Sequence, residues 1–141
     1  MSAKTFLDTN VLIYSFDEKA PAKQKIARGL ISSALSNPGE AVISWQVAQE
    51  FLHAMLHKVK VPFTADDAFR YTQSVLVPLC RIHSRPGLWM AALRLHQETG
   101  YRFYDCLIVA AAQESGAQKL LSEDLQDGRT IGGVLIENPF R

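Results

Sequence analysis

The chain has 141 residues, 48% of them hydrophobic and 21% charged, with 15 Lys plus Arg against 14 Asp plus Glu. That size and balance point to one globular domain over residues 1–141 and exclude disordered, collagen-like and coiled-coil chains. A formal charge of +1 leaves no basic tail, so any nucleic-acid role must come from a local site rather than diffuse phosphate attraction.

In chain order, Lys4–Leu7 reads as a short strand running into Asp8, and Asn10–Tyr14 starts a helix. Pro21–Leu35 is a second helix, with Pro21 in its first turn. Ala41–Ile43 is a short buried strand, and Ser44 caps the helix Trp45–Lys58. Thr64 caps Ala65–Ser74, with Asp66 and Asp67 near its positive end. Val75–Ile82 is strand-like but broken by Pro78, so it is expected at a sheet edge. Pro86–Glu98 and Tyr104–Ser115 are helices, the second ending at Gly116. Lys119–Leu121 and Val134–Ile136 are strands. Strands alternating with helices predict an α/β fold: a three-layer α/β/α sandwich around a mainly parallel sheet.

The longest apolar run, Cys106–Ala112, is far too short to span a membrane, so no membrane association is expected. Lys4 is followed only by Thr5-Phe6-Leu7 before Asp8, so no secretory leader is expected. Cys80 and Cys106 cannot build a disulfide framework. The expected setting is reduced and cytoplasmic.

Four acids fall in awkward places. Asp8 and Asp124 each follow a strand, where a carboxylate can simply cap a turn or helix. Glu50 borders the apolar stripe of Val47, Phe51, Ala54 and Met55, where a glutamate can snorkel to water. Asp105 opens a helix that is apolar nearly all round, as a cap or as a functional acid. A parallel sheet brings all four to one edge, where ligands of such sheets bind. Crowded carboxylates repel, so at least one should hold its proton to a higher pH than in the unfolded chain. A divalent cation removes the conflict, and hard oxygen donors suit Mg²⁺ or Mn²⁺. Glu123 and Asp127 are neighbouring acids able to stand in for Asp124.

Phe6-Leu7-Asp8-Thr9-Asn10-Val11-Leu12-Ile13-Tyr14, Gln49-Glu50-Phe51, Tyr104-Asp105-Cys106-Leu107-Ile108-Val109-Ala110-Ala111-Ala112 and Leu121-Ser122-Glu123-Asp124-Leu125 resemble, in order and spacing, the four acidic motifs of PIN-domain proteins. The resemblance spans the chain from Phe6 to the last strand. It implies metal-dependent ribonuclease activity, with Asp8, Glu50, Asp105 and Asp124 as catalytic and metal-binding residues and Asp127 as an optional further ligand. Asn10 and Ser122 match polar positions that line and orient the site. A compact chain of this kind also resembles VapC-type toxins, which implies a homodimer held inactive by a small antitoxin protein. Other small PIN domains process RNA without being toxins.

The chemistry implied is hydrolysis of RNA phosphodiesters, with one or two Mg²⁺ ions activating water and offsetting phosphate charge. Arg102, three residues before Asp105, is the best candidate for a phosphate contact. Lys19, Lys23, Lys25, Arg28, Arg81, Arg85 and Arg94 otherwise read as surface charge. Tyr14, Trp45, Phe103 and Tyr104 could stack on bases, although single aromatics in this pattern usually pack in a core. Leu88, Trp89, Met90, Leu93 and the strip Val59–Phe63 likewise read as core, with an exposed interface as the alternative. Two rival functions remain. One is a zinc site built from Glu50, His53 and His57, although Glu50 lies outside the histidine pair. The other is a binding module that keeps the fold without the chemistry.

Overall fold

Residues 3–141 are described by a computed structural model. Strand β1 (Thr5–Leu7) stops where the Asp8 carboxylate accepts the Thr9 N–H at 2.7 Å and caps α1 (Thr9–Tyr14). Helix α2 (Pro21–Ser36) opens on Pro21, whose missing N–H is harmless in a first turn. Strand β2 (Ala41–Ser44) is buried throughout, and Ser44 Oγ accepts the Val47 N–H to cap α3 (Trp45–His57). Thr64 and Asp67 exchange bonds of 2.9 and 3.1 Å in a capping box that starts α4 (Ala65–Tyr71).

The strand-like reading of Val75–Ile82 is corrected here. Helix α4 runs on through a π-helical stretch, Thr72–Leu76, into a short turn α5 (Val77–Leu79). Pro78 lacks an amide donor, and its ring obstructs the carbonyl four residues back. The ladder widens just before it, with Val77 N–H bonding Thr72 O. Only β3 (Cys80–Ile82) is extended, and it lies at the sheet edge as expected.

Helices α6 (Pro86–Thr99) and α7 (Phe103–Ser115) both end on left-handed glycines, Gly100 and Gly116. Strand β4 (Lys119–Leu121) follows, then β5 (Thr130–Ile131) and β6 (Val134–Glu137). Strand β5 has no counterpart among the predicted elements. Gly132 and Gly133, at φ +55° and +84°, form the two-residue turn that folds β5 back on β6. That turn was visible in the sequence, but a two-residue strand carries no period of its own.

The sheet order is β3-β2-β1-β4-β6-β5, parallel except for the β5–β6 pair. The chain moves outward from β1 to β2 and β3, then returns past β1 to β4. Right-handed crossovers in opposite directions put helices on both faces, so the fold is an α/β sheet flanked by helices. Helix α7 lies across β1, β2, β3, β4 and β6, with α6 against it. Its Ala110, Ala111 and Ala112 are buried and allow that close approach.

Phe6, Leu7, Leu12, Phe51 and Leu120 are wholly buried in the core. Cys106 is buried, Cys80 is half-buried, and neither is bonded. The core reading fails for part of the apolar set: Trp89, Met90, Leu93 and Val61 are exposed, whereas Leu88 is buried. Trp89, Met90 and Leu93 lie on α6, and Val61 lies in the loop after α3. Among the described residues, no helix is long and apolar enough to cross a membrane.

Phe51 stacks on Tyr71 at 4.8 Å and also meets Phe16 and Phe63. Phe51→Ala should therefore cost about 3–5 kcal/mol of stability. Urea unfolding checks this, and a cost below about 1 kcal/mol would mean that the cluster is not packed as described.

Candidate active site

The chain leaves β1 toward β2, while β4 enters on the other side of β1, so a crevice opens beyond the ends of β1 and β4. The Asp8 N–H bonds Leu121 O at 3.0 Å, which carries the β1–β4 pairing one residue into that crevice. Asp8 is therefore held by its own backbone, and only 8% of it is exposed.

Ser122, fully buried, bridges two of the acids. Its Oγ donates to Asp8 Oδ2 at 2.7 Å and accepts the Asp124 N–H at 3.2 Å. Asn10 Nδ2 donates to Asp124 Oδ2 at 3.0 Å, and Asn10 Oδ1 accepts the Glu123 N–H at 3.4 Å. No helix follows Asp124, so the capping alternative does not hold there. For Asp8 both readings coexist: it caps α1 with one oxygen and meets Ser122 with the other.

Glu50 is exposed at this edge. Its Oε1 accepts from Thr9 Oγ1 at 3.2 Å and from Gln46 Nε2 at 3.3 Å. Gln46 Nε2 also donates to the Tyr104 carbonyl at 3.1 Å, joining α3 to the start of α7. Thr9 and Gln46 were missed in the sequence, although Gln46 stands four residues before Glu50 on one helix face. Asp105 is half-buried in the first turn of α7 and makes no capping bond, because Arg102 occupies the N-cap position.

The electrostatics tie these acids together. Burial pushes the Asp8 carboxyl from the ordinary 3.8 up to about 6, and the charges of Asp124 and Glu50 add to it. The bonds from Ser122 and Thr9 oppose the shift. Burial also raises Asp105, as does the Asp124 charge, against the pull of Arg102. The sequence reading expected crowding as the cause. Loss of water is the larger one here, because Asp8 lies behind the sheet edge rather than on it.

The acids that sequence reasoning offered as substitutes are engaged elsewhere. Glu123 accepts from Tyr14 and Lys23, each at 2.5 Å, and that ion pair also removes Lys23 from the free cations. Asp127 accepts the Asn138 N–H at 2.8 Å and pairs with Arg141 at 3.2 Å. The zinc set does not assemble. His53 and His57 are exposed rings 5.1 Å apart, while Glu50 turns to Thr9 and Gln46. The core reading of single aromatics is corrected for Trp45, Phe103 and Tyr104, which are exposed; Tyr14 is half-buried on Glu123.

The donor set at the crevice is all oxygen, which suits a hard divalent cation. Among the described residues, Asp8, Glu50, Asp105 and Asp124 take part in no ion pair, whereas Glu114, Glu123, Asp127 and Glu137 each do. A buried, uncompensated carboxylate is costly, and a cation would relieve it. As placed, no three His, Cys, Asp or Glu side chains among the described residues stand close enough to hold one ion. Neutral donors engage three of the four acids: Ser122 and Thr9 bond Asp8, Asn10 bonds Asp124, and Thr9 with Gln46 bonds Glu50.

The PIN-domain family profile matches residues 5–126, and the chain belongs to that family. No curated protein matches it. Among solved structures it is similar to a toxin–antitoxin complex from Klebsiella pneumoniae, with a TM-score of 0.70 at 20% identity over 96% of this chain and 98% of that one. It is also similar to VapBC2 from Rickettsia felis bound to a promoter DNA fragment, with a TM-score of 0.65 at 19% identity over 95% and 97% of the two chains. A third is the Mycobacterium tuberculosis toxin VapC20, described as cleaving the sarcin–ricin loop, with a TM-score of 0.59 at 18% identity over 86% and 90%.

The raised Asp8 sets a pH dependence. Folded Asp8 holds its proton to about pH 6, the unfolded residue only to 3.8, so the folded state binds more protons between them. Its stabilising contribution is complete below the lower value and is lost as pH rises through the upper one, about 3 kcal/mol in all. In EDTA, the melting temperature of the wild type should fall relative to that of Asp8→Asn over this window. Mg²⁺ should recover it by binding the folded form alone. Parallel curves for the two proteins would remove the assignment.

Proposed function

We propose that residues 1–141 form a single PIN domain acting as a metal-dependent endoribonuclease, the toxin of a type II toxin–antitoxin pair. The observation that carries this reading is the edge itself. Four acids from distant segments lie at one sheet edge; among the described residues none of them is in an ion pair, and Asp8 is buried. The similarity to VapC20, VapBC2 and the Klebsiella complex supports a toxin nuclease with an antitoxin partner; a homodimer in the cytoplasm is part of the same proposal.

Asp8, Asp105 and Asp124 would hold Mg²⁺ or Mn²⁺, with Glu50 at its margin. Bound there, the cation supplies Lewis acidity, which offsets charge on phosphate oxygens and lowers the pKa of water. The chain's own residues do the positioning. Ser122 fixes the Asp8 oxygen and the Asp124 backbone together. Asn10 steadies the Asp124 carboxylate, and Thr9 with Gln46 steadies Glu50. Arg102, exposed and close enough to Asp105 to lower its pKa, would meet a phosphate.

A second reading, an RNA-binding module without chemistry, is favoured by the spacing of the acids, of which no three share an ion as placed. One experiment separates the two. Purified protein should cut RNA with Mg²⁺ or Mn²⁺ and stop in EDTA. Asp8→Asn should lose on the order of a hundredfold or more in rate while keeping its circular dichroism spectrum. Ser122→Ala should lose on the order of 10–100-fold, as for outer partners of metal ligands generally. Full activity in a His53→Ala/His57→Ala double variant would agree with the exposed placement of those rings. Metal-independent binding with no cleavage under any condition would establish the binding module instead.

A further inference from the structure

Beside the acidic edge lies a cleft of about 180 Å³, well below the volume of a typical small-molecule site. Its walls are Trp45, His83, Trp89 and Tyr104, above a floor that includes Leu88 and Leu107. Trp45 is 47% exposed, Trp89 56% and Tyr104 66%. The two tryptophans of the chain thus both line this one cleft, and His83 meets the Trp45 ring edge-on at 5.1 Å. Large rings left bare around one hollow are costly in water unless something flat covers them.

The cleft adjoins the acids, although none of them lines it. Trp45 opens the helix that carries Glu50, and Tyr104 directly precedes Asp105. Gln46, a lining residue, bonds both Glu50 and the Tyr104 carbonyl. Gln49 and Ser84 add polar atoms at the rim. Arg85 is there too, but it is paired with Glu114. Arg85 is the lone Lys or Arg in the lining and is paired, so the cleft itself offers little charge to a polyanion. Ring stacking supplies grip that charge does not, because every base presents a π-face.

We infer that the cleft receives one unpaired nucleobase of the strand whose phosphate lies at the acidic edge, stacked on Trp45 and Tyr104. This rests on the ribonuclease reading and assigns it a base-binding subsite, with Gln46 joining base recognition to the acid Glu50. An unpaired base enters at less cost, because a paired one must first be unpaired and unstacked.

Tryptophan emission reads the cleft directly. The full chain, in EDTA, is titrated with a short oligo(A) RNA and with an abasic ribose-phosphate chain of the same length. Oligo(A) should quench the emission and the abasic chain should not. Trp45→Ala should weaken oligo(A) binding about tenfold, whereas Trp45→Phe, which keeps a ring, should restore it. Circular dichroism confirms that both variants are folded. Equal quenching by both ligands would overturn the proposal. So would emission that changes only with protein concentration, together with a dimer on gel filtration, because a second copy would then cover the rings. Cleavage of RNA with Mg²⁺ but no quenching would sink the cleft and leave the nuclease standing. Base-dependent quenching without cleavage would support the cleft and sink the nuclease.

Discussion

The arrangement depends on one carboxylate kept almost out of water at the junction of two parallel strands. Asp8 cannot move away, because its amide is bonded to Leu121 and its side chain caps α1. Among the described residues no basic side chain pairs with it, and its oxygens are met by the Ser122 hydroxyl and the Thr9 amide. Dipoles of this kind offset a buried charge only in part, and the raised pKa records the deficit. A fold selected for stability alone would put an apolar residue or an ion pair here.

Sheet topology explains how residues 8, 50, 105 and 124 come to one edge of the sheet. Each sits just beyond a strand end or in the opening turns of a helix that covers the sheet. Because β1, β2 and β4 run parallel, their ends share an edge. The reversal of winding direction at β1 then leaves the gap in which Asp8 and Ser122 face each other. Helix α7 delivers Asp105 from above because its small residues let it lie close on the strands.

Much of this was legible in the sequence, in the places where local rules and global fold agree. Strands ending in acids, Ser44 and Thr64 as caps, and an all-apolar helix behind Asp105 each follow from period and capping chemistry. What stayed hidden depended on contacts between distant segments. Glu123 and Asp124 are adjacent acids, and only Lys23 and Tyr14, about a hundred residues away, decide that the first is spent on architecture. Pro78 argued against a continuous strand and lies in a helical turn instead; the apolar residues before it bury equally well as a helix, and a short apolar run cannot tell the two apart. Trp45 and Tyr104 looked like core because composition says nothing about which side of a helix is covered. The cause of the Asp8 shift was equally hidden, since burial depth is a property of the closed sheet.

The two sheet edges have a consequence for association. One border is a three-residue strand bearing exposed Arg81, and the other is the two-residue limb of a glycine hairpin. Neither offers a run of unpaired amides and carbonyls long enough to template a foreign strand. Short borders of this kind offer little purchase for strand addition, so the molecule's broad surfaces for association are those of its helices and loops.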